Sequence, residues 1–303
     1  MKKIFTFLFQ KLLINKDIRS YKKNIFYYLL FRVFRNFFEG SILTNIYNFK
    51  IYTSTNKNKA SYSILKKCDF DDQHEIKIIN KISNINKVFF LDCGCNYGFY
   101  SFFTASLSKK NLVLAYEASS STIKEFNKNL SLNNLQNINC KNLAISDEND
   151  KLINFNESIN DWESSASHDS FNKKNTSRIK TTTIDFELKD YDLKDFTLCI
   201  KLDIEGSEFR AIKGGLEIIK KHAPIILIEI SKYNINQMNS NFDFFSNFLF
   251  KNDYIIFDLN QNEVKIEEIK KRITDIDQSH DTIGNFYLVK RNHELIKIFK
   301  KDG

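Results

Sequence analysis

The segment LDCGCNYG at residues 91–98 combines an acid with two glycines, between an apolar stretch and a helical one. Glycine lets the backbone turn tightly and lets a ligand approach with no Cβ in the way. The first turn of a following helix offers unpaired N–H groups and the positive end of the helix dipole. We therefore expect Asp92, Gly94, Asn96 and Gly98 to surround a polar ligand. A glycine turn with a helix-capping Asn is the alternative without a ligand.

Asp92 indicates the charge of this ligand. The pattern is Asp-x-Gly-x-Asn-x-Gly, whereas dinucleotide-binding folds use Gly-x-Gly-x-x-Gly. A carboxylate at this point would repel the pyrophosphate of NAD but attract the ammonium and sulfonium groups of S-adenosyl-L-methionine. Glu117, 19 residues beyond Gly98, has about the spacing at which an acid binds ribose hydroxyls in such folds. The residues favour S-adenosyl-L-methionine as the cofactor, with a nicotinamide oxidoreductase as the fallback.

A second group of charged residues lies in CIKLDIEGSE at residues 199–208. On a strand, Lys201, Asp203 and Glu205 would share one face. Buried charges persist only when they are paired or bind a ligand, so the group is either a catalytic site or an internal ion-pair network. We expect a site, in which Asp203 and Glu205 are candidates for the general base or for orienting the acceptor. Lys201 would tune them by its charge.

Three further side chains give weaker signals. Glu229 ends the next apolar stretch, so Asp203 and Glu229 could hold Mg²⁺, an ion that prefers oxygen ligands. No third ligand has an obvious spacing, and we therefore favour a base without a metal. His168 and Trp162 fall in a long polar stretch, where His168 is a candidate base and Trp162 a candidate sugar-stacking residue. A solvated His and a Trp that packs the loop down are the alternatives.

Short aliphatic runs alternate with helical stretches through the middle of the chain. Runs without polar alternation are typical of parallel strands covered on both faces. The expected strands are Val88–Leu91, Leu112–Tyr116, Ile138–Leu143, Leu198–Leu202 and Ile225–Ile230, and the expected helices are Tyr97–Leu107, Ser121–Leu132 and Gly206–Lys220. This alternation predicts a doubly wound α/β sheet, in which ligands bind beyond the carboxyl ends of the strands.

The last part of the chain departs from this alternation. After a predicted helix at Asn241–Lys251, Tyr254–Leu259 and Asn285–Val289 read as strands without a comparable helix between them. An antiparallel pairing at the sheet edge would account for this. The predicted fold class is α/β, with a Rossmann-like doubly wound seven-stranded sheet whose last strand is antiparallel, and with a helical and β N-terminal extension. The polar stretch Ile145–Thr183 is expected to be a long functional loop.

The positive charge is concentrated near the N-terminus. Residues 1–40 hold nine basic and two acidic side chains and so carry +7 of the net charge of +8. The rest of the chain is near neutral, which argues against a groove that follows a nucleic-acid backbone. Two apolar stripes recur at helical spacing, one of Ile4, Leu8 and Leu12 and one of Phe26, Leu30, Phe34 and Phe38. This segment either packs on the main domain or a partner subunit, or lies on an anionic membrane surface.

The remaining composition narrows the class of protein. No apolar run is long enough to span a bilayer, and the five cysteines include no C-x-x-C pair. We expect a soluble or peripheral protein with reduced thiols in the cytoplasm, and neither a disulfide framework nor a zinc site. A strand at Tyr47–Thr53 and a helix at Asp71–Ser83 are expected to lead into the core.

Taken in order, these segments resemble the FkbM-type methyltransferases from about Tyr47 to Val289. The matching segments are FLDCGCNYGFY at 90–100, YEA at 116–118, NLAISD at 142–147, SS at 164–165, TTTID at 181–185, IKLDIEGSE at 200–208, GG at 214–215 and PIILIE at 224–229. The resemblance implies methyl transfer from S-adenosylmethionine, typically to oxygen atoms of sugars, glycans or polyketide-type products. It adds Asn142 and Ala144 to the cofactor contacts. Cys95 and Ala118 replace the Ala and Pro usual in the family, and both are small enough to leave binding intact.

These expectations combine into one assignment. Residues 1–44 form a basic amphipathic helical segment, and residues 45–303 a methyltransferase domain whose core covers about residues 86–291. The expected reaction is O-methylation of a sugar hydroxyl on a glycan, glycolipid or related metabolite, in the cytoplasm or at the inner face of the membrane. One alternative is a non-catalytic cofactor-binding scaffold in glycan assembly. Another is a methyltransferase acting on protein or nucleic acid, although the chain has no Asn-Pro-Pro-Tyr-like motif.

Overall fold

The computed structural model describes residues 2–38, 40–56, 61–156, 165–167, 176–231, 242–275 and 282–300. The N-terminal elements are α1 (Lys2–Asn15), a 3-10 turn (Ile18–Tyr21), α2 (Ile25–Phe37), β1 (Ser41–Ile46), β2 (Phe49–Ser54), α3 (Tyr62–Lys67) and α4 (Gln73–Ile85). The next elements are β3 (Val88–Cys93), α5 (Phe99–Leu107), β4 (Leu112–Tyr116), α6 (Ser120–Leu130), β5 (Ile138–Lys141), β6 (Ala144–Ile145), β7 (Leu152–Asn156), β8 (Ser165–Ser167), β9 (Thr176–Thr182) and α7 (Ile184–Leu188). The last are β10 (Thr197–Leu202), α8 (Glu208–Lys213), α9 (Leu216–His222), β11 (Ile225–Ser231), a helix at Phe242–Asn252, β12 (Tyr254–Asp258), β13 (Glu263–Val264), a helix at Ile266–Asp275, β14 (Thr282–Lys290) and a 3-10 turn (Ile296–Phe299).

The central sheet has the strand order β13-β12-β14-β11-β10-β3-β4-β5. Strands β5, β4, β3, β10 and β11 pair in parallel, and β14 is antiparallel to both of its neighbours. The order reverses between β3 and β10, so their carboxyl ends form the crevice where doubly wound sheets bind ligands. The predicted Rossmann-like α/β class with an antiparallel last strand is confirmed.

The expected antiparallel pairing near the sheet edge is confirmed, but the predicted number of seven strands is one too few. The expected pairing is that of β12 with β14, and β14 lies between β11 and β12. Phe286, Tyr287, Leu288 and Val289 are all buried, as an interior strand covered on both faces requires. The two-residue strand β13 forms the edge and makes the sheet eight-stranded, and the helix at Ile266–Asp275 supplies the connection that the sequence did not indicate.

The expected loop at Ile145–Thr183 is partly a second sheet, with the strand order β6-β9-β7-β8. Ile153 and Phe155 are buried and alternate with exposed residues on β7, and Ile179 on β9 is buried beside them. This period of two, sparse among many polar residues, is the pattern of a strand with one covered face. Trp162 and His168 lie outside the described residues.

The core fills both faces of the central sheet. Neighbouring side chains on β3 belong to opposite clusters, with Val88 and Phe90 on one face and Phe89 and Leu91 on the other. Alternate side chains of a strand point to opposite faces, so a strand covered on both sides is apolar along most of its length. The central strands were predictable from the sequence for this reason.

Helices α1 and α2 contribute to the first of these clusters. Phe9 of α1 and Tyr27, Phe31 and Phe34 of α2 are buried, and the Phe9 and Phe34 rings stack with centroids 4.4 Å apart. The packing alternative is therefore observed for one face of this segment. The expected stripes were wrong in detail: Leu8 is 58% exposed, whereas its neighbour Phe9 is buried.

A similar difference affects α2, where Phe26 of the expected stripe is 73% exposed and Tyr27 lies inside. Helical spacing permits several stripes when most positions are apolar, so the packing partner decides which one is buried. None of the described helices is both long and apolar enough to cross a bilayer.

Candidate active site

The glycine turn after β3 fits tightly between the ends of β4 and β10. The backbone N–H groups of Gly94 and Cys95 both donate to the carbonyl oxygen of Tyr116, at 2.9 and 3.0 Å. Gly94 has φ +78°, and a Cβ at this position would lie 2.0 Å from the backbone oxygen of Asp203. Only glycine allows this approach. The turn therefore places the start of α5 directly beside the acidic segment after β10.

Asp92 lies beneath this turn and not on its surface. Its side chain is fully buried, and Oδ2 accepts a hydrogen bond of 2.6 Å from the Ser101 hydroxyl. Oδ1 has no hydrogen-bond partner within the part of the chain that the structure describes. Burial raises the pKa of Asp92, while nearby Lys201 opposes this shift. A buried acceptor without a donor is costly, so this oxygen fits a role toward a cationic or hydrogen-bonding ligand.

Glu117 closes the other side of the turn. Its two carboxylate oxygens accept from the backbone N–H groups of Asn96 and Ser119, at 2.9 and 2.8 Å. Asn96 adopts φ +50°, which Asn tolerates better than most residues. Burial raises the pKa of Glu117 to about 7, and the two backbone donors oppose this shift. The sequence indicated Glu117 by its spacing, and the structure brings it next to Asn96.

Asn142 and Ala144 are placed differently from one another. The Asn142 amide donates to the carbonyl oxygens of Glu117 and Ala118, at 2.7 and 3.1 Å, and its oxygen accepts from the Ser120 hydroxyl. Asn142 thus holds the loop after β4. Ala144 is buried in the small cluster under the second sheet, where it contributes to packing.

Lys201 and Asp203 form an ion pair at the carboxyl end of β10. Lys201 Nζ lies 2.7 Å from Asp203 Oδ2, with 6% of the lysine side chain and 42% of the aspartate side chain exposed. Burial disfavours the charge on Lys201, but Asp203 and Asp92 outweigh it and raise its pKa. Burial likewise opposes ionisation of Asp203, and Lys201 nevertheless lowers its pKa. The Asp203 carboxylate is therefore ionised and partly exposed, whereas the ammonium group of Lys201 that stabilises it is buried.

Glu205 and Glu229 complete a carboxylate cluster around Asp203. The expected strand geometry was wrong for Glu205, because β10 ends at Leu202 and Glu205 lies in a turn with φ +52°. The turn still brings one oxygen of each of Asp203, Glu205 and Glu229 within 4.8 Å of the others. Burial and the adjacent Asp203 carboxylate raise the pKa of Glu229 far above its usual range. Three such oxygens could bind a divalent cation, and Glu205 would then be the third ligand that spacing alone did not indicate.

Glu208 has a local structural role. Its Oε1 accepts from the backbone N–H groups of Ile204 and Gly206, at 3.0 and 3.1 Å, which fixes the turn that carries Glu205. Burial raises the pKa of Glu208 to about 7.

Four residues that support the cluster have no local signal in the sequence. Tyr100 donates to Asp72 Oδ2 at 2.8 Å, and its ring lies under Lys201 Nζ, 4.8 Å from the ring centroid. Asn285 of β14 lies opposite Glu229 in the sheet register and donates to Glu75 at 2.9 Å. These contacts join α4 and the last strand to the end of β10, and only the tertiary fold brings them together.

A family comparison agrees with this arrangement of sheet, glycine turn and acidic strand end. Residues 92–256, more than half of the chain, match the family described as "Methyltransferase FkbM domain". The class of protein is therefore a methyltransferase. In particular, this chain belongs to the FkbM methyltransferase domain family. Among curated proteins, none matches it significantly.

Several solved structures show a loose overall similarity. A methyltransferase FkbM from Methylobacillus flagellatus KT is 16% identical with a TM-score of 0.39, covering 76% of this chain and 53% of its own, so this chain spans about half its length. SMU.1697c from Streptococcus mutans, in complex with SAH, is 9% identical with a TM-score of 0.41, covering 71% and 95%. M. jannaschii TYW2, in complex with AdoMet, is 12% identical with a TM-score of 0.37, covering 83% and 84%.

Proposed function

We propose that this methyltransferase transfers the methyl group of S-adenosyl-L-methionine to a sugar hydroxyl on a glycan, glycolipid or related metabolite. The observation that carries the proposal is the Lys201–Asp203 pair, whose carboxylate is 42% exposed beside the glycine turn. Residues 45–303 would form the methyltransferase domain, and residues 1–44 an appended segment.

The donor would bind in the crevice between the ends of β3, β4 and β10. Gly94, Asn96 and Gly98 shape the turn, and Glu117 would accept hydrogen bonds from the ribose hydroxyls. Asp92 would act from below, where its buried carboxyl would stabilise a cationic ligand. NAD fits less well because its pyrophosphate would approach Asp92 and Asp203.

The bound donor supplies an electrophilic methyl group on a positively charged sulfur. Asp203 would accept a hydrogen bond from the acceptor hydroxyl and take its proton as the new C–O bond forms and the C–S bond breaks. Lys201 keeps Asp203 ionised by holding its Oδ2 at 2.7 Å. Glu205, in the adjacent turn, would orient the acceptor from the other side.

A metal-assisted version of the same reaction is the second candidate. Asp203, Glu205 and Glu229 lie close enough to ligate one divalent ion, which would polarise the acceptor oxygen. We favour the base without a metal because Lys201 already neutralises Asp203. A non-catalytic scaffold and a protein or nucleic-acid methyltransferase are the remaining alternatives.

Calorimetric titration with S-adenosyl-L-methionine is the first test of the donor site. Asp92→Asn and Glu117→Ala should each weaken binding of the donor at least about tenfold. Glu125 is a half-exposed acid on α6, so the control substitution Glu125→Ala should leave binding unchanged. Thermal unfolding of each variant separates loss of binding from loss of fold. Binding of NAD in place of the methyl donor would overturn the proposal.

A second measurement tests the acceptor. Transfer of a labelled methyl group to glycan fractions supports the O-methylation proposal, and its loss on enzymatic deglycosylation would identify the sugar. Donor binding without transfer to any glycan, metabolite, protein or nucleic acid would favour the scaffold.

We also propose that the chain works in the cytoplasm, with peripheral contact at the inner face of the membrane. The concentration of +7 of the net charge of +8 in residues 1–40 supports this contact, because anionic lipids attract basic segments.

A further inference from the structure

Helix α2 leaves a row of large apolar side chains in solvent. Ile25, Phe26, Leu29 and Val33 are 70%, 73%, 55% and 44% exposed. At 3.6 residues per turn these positions fall within an arc of about 100° on one side of the helix. We call these four residues the α2 stripe. Isolated exposed apolar residues are ordinary, but a contiguous row of four on one helix marks an interaction surface.

The orientation of this stripe is fixed by the opposite face of α2. Tyr27 is buried and donates to the carbonyl oxygen of Leu65 at 2.8 Å, and Arg35 donates to the Tyr62 hydroxyl at 3.1 Å. Phe34 is fully buried against Phe9. Because the helix is held by these contacts to α1 and α3, the stripe cannot turn inward without breaking them.

Basic residues lie next to the stripe. Lys23 precedes it, and Arg32 falls beside Ile25 on the helix circumference, and both side chains are exposed. Lys22 is held by Asp69 at 2.9 Å and is therefore partly neutralised. The combination of an apolar row with flanking cations on a short helix is typical of segments that lie in the interface of an anionic membrane.

We propose that the α2 stripe inserts into the headgroup region of an anionic lipid bilayer and so docks the enzyme on the membrane. The proposal deepens the peripheral location proposed above and rests on it. A second copy of this chain is a poorer occupant, because both copies would bring the same concentration of positive charge to the contact. The phosphates of a nucleic acid could pair with Lys23 and Arg32, but a nucleic acid would leave Phe26 and Leu29 without an apolar partner.

Vesicle co-sedimentation of the full chain tests this proposal. The probes are pure phosphatidylcholine vesicles and vesicles in which about one third of the lipid is phosphatidylserine. The wild type should bind the anionic vesicles, and Phe26→Ser with Leu29→Ser should weaken binding at least about tenfold. Phe250→Ser is the matched control, since Phe250 is 89% exposed on a helix far along the chain and should bind as the wild type does. The double variant and the control variant both replace only solvent-exposed side chains, so folding should be preserved in each.

Three outcomes would overturn the proposal. These are equal binding of the double variant and the wild type, absence of wild-type binding to both vesicles, and a wild-type dimer in lipid-free sedimentation velocity that becomes a monomer in the double variant. The double variant Lys23→Glu with Arg32→Glu should weaken binding to the vesicles that contain phosphatidylserine and should not change binding to the pure phosphatidylcholine vesicles. Calorimetry with S-adenosyl-L-methionine on the same variants keeps the two proposals apart, because the stripe variants should retain donor binding whatever the vesicles show.

Discussion

A Cβ on Gly94 would lie 2.0 Å from the backbone oxygen of Asp203, so the glycine turn after β3 and the acidic segment after β10 are in backbone contact. The contact sets the spacing between the two halves of the site. Any side chain at residue 94 would push the turn away from β10, and with it the start of α5.

Gly94→Ala should therefore both destabilise the fold and abolish donor binding. We expect a loss of about 2–4 kcal/mol in the free energy of unfolding, because the clash and the left-handed backbone act together. Urea unfolding measures this loss. Gly284→Ala is the control: its φ is +134°, but no atom would lie closer than 4.0 Å to the new Cβ. Equal losses in the two variants would show that the Asp203 contact adds nothing.

Lys201→Met should cost about 2 kcal/mol in the free energy of unfolding, since it leaves Asp92 and Asp203 without their buried cation. The partial exposure of Asp203 keeps this loss below that of a fully buried pair. The surface pair Lys213–Asp147, at 2.9 Å, is the comparison, and Lys213→Met should cost less than about 1 kcal/mol. Chemical unfolding curves for both variants measure these losses in the free energy of unfolding. Similar losses in the two variants would contradict the proposed electrostatic role of Lys201.

The pKa of Glu117, raised by burial from 4.5 to about 7, predicts a pH dependence of donor binding. In the proposed donor site the ionised form would accept hydrogen bonds from the ribose hydroxyls, so affinity should fall as the pH drops from about 8 to about 6. The groups that face Glu117 are the N–H donors of Asn96 and Ser119 and the Asp92 and Asp203 carboxylates. Calorimetry across this range should show a dependence that Glu117→Gln flattens.

The same shift has an opposite effect on stability. A carboxyl that binds its proton more tightly in the folded state stabilises the fold most at low pH, and this contribution is lost as the pH rises from 4.5 through about 7. Glu117→Gln should remove that part of the slope. Glu208, whose pKa is also raised to about 7, remains in both proteins, so the difference between them isolates Glu117.

Asp203→Asn and Glu229→Gln should separate the two versions of the reaction. If Asp203 is the base, Asp203→Asn should lower kcat at least about a hundredfold, whereas Glu229→Gln should change it little. The reason is that the raised pKa of Glu229 keeps it protonated, and Gln can then replace it as a hydrogen-bond donor.

The metal alternative predicts a different pattern in the same assay. Turnover should then disappear with EDTA and return with Mg²⁺, and both variants should need more Mg²⁺ for half-maximal rate. Activity that persists in EDTA would exclude that alternative.

The central strands and the glycine turn were predictable because their signals are local. Each buried strand is apolar at successive positions, and the turn needs glycine where the backbone must be left-handed. The placement of β14 between β11 and β12 was not predictable in this way, since pairing order depends on contacts between distant segments. The second sheet was not predicted from the sequence because few of its residues are apolar.

The candidate site shows the same division. Asp92, Glu117, Lys201 and Asp203 were found because each follows or ends an apolar strand. Asp72 and Glu75 belong to the start of α4, and nothing near them in the sequence connects that helix to β10. Their role depends on Tyr100 and Asn285, which reach them only in the folded chain.

The position of β14 has a consequence for how the chain is made. During synthesis β11, which carries Glu229, is complete well before β14 exists, and until then one side of β11 is an open row of unpaired N–H and C=O groups. The nascent chain therefore exposes the unpaired edge of the apolar strand β11, which is prone to aggregation until β14 pairs with it. A ribosome-bound or truncated chain ending before residue 282 should depend on chaperones to stay soluble, and should lack the Asn285 contact as well.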